Sequence, residues 1–108
     1  MSNAFSDREK AFEDKWAHDE ELRFRVLARR NHHLGLWAAG EMGLAGPAAE
    51  TYAQTVIQAE LAKDGDEAVI RKIDQDFKVA NIARTENLIR RRMDEFLASA
   101  KAELMAKG

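Results

Sequence analysis

TENLIRRRMDEFLASAKAEL, residues 85–104, decides the fold class. Leu88, Ile89, Met93, Phe96, Leu97, Ala100 and Leu104 return at intervals of three and four, so a helix gathers them on one face. The charged residues fall outside that face, and Arg90-Arg91-Arg92 read as solvated. The spacing predicts a helix from about Thr85, preceded by a break around Asn81 to Arg84. Before the break, Val69, Ile70, Ile73 and Phe77 repeat the pattern on a shorter helix. Asp64-Gly65-Asp66-Glu67 is read as its start, with Asp64 or Asp66 as cap and Glu67 suited to the positive end of the dipole. Upstream, Tyr52, Val56 and Ile57, with Ala49, Ala53 and Leu61, predict a helix from about Pro47 to Lys63. Gly40 to Pro47 is a loop, and Pro47 suits the first position of the helix that follows.

The N-terminal third reads as one long helix. Ser6-Asp7-Arg8-Glu9 has the spacing of a capping box, and no Gly or Pro interrupts the chain until Gly35. The helix is expected to bend near Gly35 and to end around Gly40. From Leu22 onward it carries Phe24, Val26, Leu27, Leu34 and Trp37, enough to dock on the other helices. From Asp7 to Glu21 its large apolar side chains are Phe12 and Trp16, one turn apart in dense charge. Burying two aromatics stabilises by roughly 2–3 kcal/mol each. Fixing backbone costs about 1–2 kcal/mol per residue, and charge pairs along a helix contribute only about 0.2–0.5 kcal/mol. Such an arm is marginal alone, and a partner would readily order it. Phe12 and Trp16 are then an anchor pair for a groove, or they fold back onto the protein's own body. The residues leave both open.

Composition excludes several classes of function. The 108 residues fit one domain, with 45% hydrophobic and 33% charged side chains. A formal charge of −2 gives no drive toward nucleic acid or anionic membrane. The absence of cysteine removes disulfides, thiolate catalysis and cysteine metal sites. No apolar run is long enough to span a bilayer. The opening Met1-Ser2-Asn3-Ala4-Phe5 turns polar at once, so a secretory signal is not expected and a cytoplasmic address is. One proline and few β-branched residues point to an all-α protein. Short connections favour a four-helix bundle, 22–108, preceded by a polar arm, 1–21.

Each candidate chemical motif has a plainer explanation. Arg29-Arg30-Asn31-His32-His33 could hold phosphate, but reads as a solvated basic face. His32 and His33 diverge by about 100° on a helix and are poor joint metal ligands; no metal site and no cofactor are expected. The glycines of Gly40 to Gly46 lack the Lys-Ser/Thr ending of a phosphate loop. Asp64-Gly65-Asp66-Glu67 is too short for a calcium loop. No nucleophile–base–orienter set is present, so catalysis is not expected.

Asp7-Arg8-Glu9-Lys10-Ala11-Phe12-Glu13, Lys15-Trp16-Ala17-His18-Asp19, Arg29-Arg30-Asn31, Leu34-Gly35, Trp37-Ala38-Ala39, Tyr52-Ala53 with Val56, Gly65-Asp66-Glu67, Val69 and Arg71-Lys72-Ile73 with Asp76 follow one another in a specific order. In that order and spacing the chain resembles the zeta subunit family of alphaproteobacterial ATP synthases, over nearly its whole length. The resemblance implies a four-helix protein that inhibits ATP hydrolysis by F1. It implies that about Ser2 to Glu21 enters a catalytic α/β interface as a helix and blocks rotation, with the rest docked outside. The partners implied are the F1 α, β and γ subunits, at the inner membrane through ATP synthase. Mapped onto this chain, the contact residues would be Phe5, Arg8, Lys10, Phe12, Lys15 and Trp16. Weak nucleotide binding is associated with some members of the family. The alternatives are a small nucleotide-sensing helical protein, which calorimetry with ATP and ADP would reveal, and a helical adaptor for another complex.

Overall fold

The computed structural model describes the backbone of residues 4–107 and the side chains of residues 7–107. Among these the protein is all-α, with five helices where four are expected from the sequence: α1 Ala4–His18, α2 Glu20–Glu41, α3 Gly46–Ala59, α4 Asp66–Val79 and α5 Glu86–Lys107. The long first helix is in fact two. Asp19 leaves helical geometry (φ −102°, ψ 106°), and its carboxylate accepts the Leu22 N–H at 3.0 Å. An aspartate that offers the backbone this local acceptor favours a new helix start over continuation. Glu20 and Glu21 in the next turn suit the positive end of the α2 dipole. Helix α1 begins at Ala4, so Ser6 lies inside it and does not head a capping box; the Ser6 side chain is outside the described residues.

Helix α2 runs unbroken through Gly35, where a bend is expected from the sequence. Gly35 is there for close approach. A Cβ at this position would lie 2.6 Å from the Ala53 Cα and 3.0 Å from its Cβ, so α2 and α3 touch backbone to backbone. Helix α3 stops at Ala59, four residues short of the expected Lys63, and Pro47 occupies its first turn. Neither Asp64 nor Asp66 caps α4. The cap position is Gly65, at φ 47° with no side-chain bond, and both aspartates are engaged by arginines. Thr85 does start α5, its hydroxyl accepting the Leu88 N–H at 3.1 Å.

Helix α2 is the axis. The pairings Gly35 with Ala53 and Asn31 with Glu60 run α3 antiparallel to it, and Arg29 with Glu103 and His33 with Phe96 do the same for α5. The core joins Leu34 and Ala38 of α2, Val56 of α3, Val69, Ile70, Ile73 and Phe77 of α4, and Ile89 and Met93 of α5. Trp37 meets Phe77 edge-on, with ring centroids 5.7 Å apart. At the other end of the 52 × 26 × 26 Å body, the first half of α2 and the second half of α5 extend past this core, and α1 lies against them.

Candidate partner-binding arm

The face of α1 that meets the body is set by spacing. Arg8, Phe12 and Trp16 are four residues apart and form one stripe. Arg8 Nη2 donates to the Met105 carbonyl at 3.2 Å. Phe12 is half-buried and helps wall two shallow clefts of about 430 and 400 Å³, with Leu104 and Met105 in one and Leu97 and Met105 in the other. Trp16, also half-buried, receives two cations. The Lys101 Nζ stands 4.5 Å from its centroid and the Arg23 guanidinium 5.7 Å. Lys101 also pairs with Glu13 at 3.2 Å. Lys10 and Lys15 are exposed, and neither makes an ion pair among the described residues. The Phe5 side chain lies outside the described residues.

Three of the six residues proposed from the sequence are thus brought together, on the protein's own surface. The Met105 carbonyl receives Arg8, and Arg23 and Lys101 receive Trp16. None of these stood out in the sequence, because each is an ordinary charged or backbone group whose role depends on how α1 folds back.

The basic cluster is not a solvated face. Arg30 is 2% exposed and Asn31 fully buried. Arg30 Nε donates to Asn31 Oδ1 at 3.0 Å, and Nη2 donates to Glu60 Oε1 and Asp66 Oδ1, both at 2.7 Å. Asn31 Nδ2 donates to the same Glu60 oxygen at 2.9 Å. The hub ties α2 to the end of α3 and the start of α4. Its carboxyls are driven apart: the Arg30 guanidinium holds Asp66 below the usual carboxylate range, while burial pushes Glu60 up.

The rest of the cluster splits between two neighbours. His32 reaches Glu50 of α3 at 2.8 Å, while His33 and Arg29 both reach Glu103 of α5 at 2.9 Å. The two histidines therefore diverge, and no group of three or more His, Asp or Glu side chains able to hold a metal occurs among the described residues. Arg90 forks onto Glu67 at 2.8 and 2.9 Å, and Arg92 is half-buried with its guanidinium 6.0 Å from the Trp37 ring, so only Arg91 of that triplet is a freely solvated side chain. Tyr52 donates to Asp76 at 2.7 Å, and burial holds its hydroxyl protonated well above the ordinary tyrosine range. These contacts fasten helices to one another.

No curated protein matches the sequence. The family model described as ATPase inhibitor subunit zeta matches residues 1–103, which takes in α1, the hub and nearly all of α5. On that match, covering the arm and the body that holds it, the chain belongs to the ATPase inhibitor subunit zeta family.

Proposed function

We propose that this protein inhibits ATP hydrolysis by the F1 sector of ATP synthase, with α1 entering a catalytic α/β interface and blocking rotation against the γ subunit. Membership in an inhibitor-subunit family fits a regulatory rather than catalytic role. The observation that carries the mechanism is the design of α1. It is a charged helix joined to the rest through one non-helical residue, Asp19, with two half-buried aromatics a turn apart on one face. A helix lightly held by its own protein and carrying spaced apolar anchors suits a groove on a partner. The charges of Arg8, Lys10 and Lys15 would set its register there, and the body would remain outside to position the arm. The division at residues 1–21 and 22–108 falls close to the Asp19 break. No helix among the described residues is long and apolar enough to cross a membrane. The enzyme complex itself would hold the protein at the membrane.

The double substitution Phe12→Ala/Trp16→Ala tests the anchors. It is expected to weaken inhibition of purified F1 by about 10–100-fold, since aromatic anchors commonly dominate such contacts. Circular dichroism should show the body's melting transition retained, because neither ring is part of the buried core. Full inhibition with helicity intact would count against this mechanism.

A further inference from the structure

The stripe that would engage a partner is already occupied. Arg8 is spent on the Met105 carbonyl, Glu13 on Lys101, and Trp16 on Lys101 and Arg23. All of this depends on the turn at Asp19. The helical ladder nearly survives there: the Asp19 N–H reaches the Lys15 carbonyl at 2.8 Å, and the Arg23 N–H reaches the Asp19 carbonyl at 3.0 Å. What breaks continuity is the extended backbone of Asp19 and the diversion of the Leu22 N–H to its carboxylate. Rotating this one residue into helical geometry would join α1 and α2 into a single helix, Ala4–Glu41, about 57 Å long at 1.5 Å per residue. The sequence supports that state as well, since no Gly or Pro lies between Ala4 and Leu34.

We infer that α1 is a self-docking latch with Asp19 as its hinge: closed, it covers Phe12 and Trp16 on α5; open, it extends from α2 and presents them. This rests on the inhibitory reading above and adds a regulation to it. Partner binding then competes with an intramolecular contact, and apparent affinity is scaled by the fraction of open molecules. The clasp is built from contacts that are individually weak: two cation–π pairs, one surface ion pair and one exposed hydrogen bond. It is therefore poised to open when a better site is offered.

The chain has no cysteine, so labels at Asp14→Cys and Ser99→Cys, both exposed, report the α1–α5 distance by electron–electron double resonance. In the free full-length protein the short distance should dominate. Lys101→Ala removes the clasp from the body side, and Asp19→Ala removes the cap. Each is expected to shift the population toward long distances and to strengthen F1 inhibition by about five-fold. Asp19→Asn keeps a capping oxygen and should stay closed. A long distance in the unsubstituted chain would overturn the latch. So would opened variants that inhibit no better than a parent that does inhibit. Absence of inhibition by the parent would overturn the function proposed above, and with it the competition, while the distances would still show whether α1 docks.

Discussion

Arg30→Ala is expected to destabilise the protein by about 3 kcal/mol, a large effect for one side chain in a domain of this size. The cost lies in the groups left behind. Asn31 Oδ1, fully buried, loses its donor, and Glu60, whose side chain is 17% exposed, loses its countercharge. Breaking a buried pair from one side costs roughly 3–5 kcal/mol, because the remaining group stays out of water. The lower end applies here, since the Asp66 side chain is 51% exposed and can turn to solvent. Asp66→Asn should accordingly cost under about 1 kcal/mol. Urea unfolding followed by circular dichroism measures both. An Arg30→Ala cost no greater than that of Asp66→Asn would show that the hub does not hold α3 and α4 to α2.

Gly35→Val should be comparably damaging, for a steric reason. The contact at 2.6 Å is with the Ala53 backbone, so no flexible side chain can move aside; the two helices must separate. Overpacking costs typically about 1–3 kcal/mol. A branched side chain at a backbone contact belongs at the top of that range. Gly40 in the same helix is the control, because a Cβ there meets nothing within 4 Å. Gly40→Ala should raise stability by about 0.5–1 kcal/mol through helix propensity alone. Opposite signs in thermal melts are expected; the same sign at both positions would contradict the α2–α3 contact.

Much of the fold is legible where one face of a helix is uniformly apolar. Val69, Ile70, Ile73 and Phe77 are all buried, as their spacing indicates, and so are Ile89, Met93 and Ala100. Harder to read are positions where a polar side chain stands on the apolar stripe. Arg30 is spaced four residues from both Val26 and Leu34, which places it inward. Its partners, Glu60 and Asp66, are an α3–α4 turn away and could be matched to it only in three dimensions. The Asp19 break had a local signal: an aspartate followed by Glu20 and Glu21 is an ordinary helix start. It competes with good helix formers on both sides, and a cap worth about 1 kcal/mol needs the docking of α1 to prevail. The spacing of Phe12 and Trp16, one turn apart, marks the arm's apolar face, whereas Arg8 enters only through the family resemblance. That the stripe is covered by α5 depends on Lys101, 88 residues beyond its partner Glu13, and on Met105, 97 residues beyond Arg8.

The central claim is that α1 is the effector of inhibition. Its most direct test is ATP hydrolysis by purified alphaproteobacterial F1, titrated with the full chain and with a chain lacking residues 1–21. Saturating inhibition is expected from the full chain and none from the shortened one, whose core residues are untouched. Equal inhibition by both would place the effector in the body and contradict that claim.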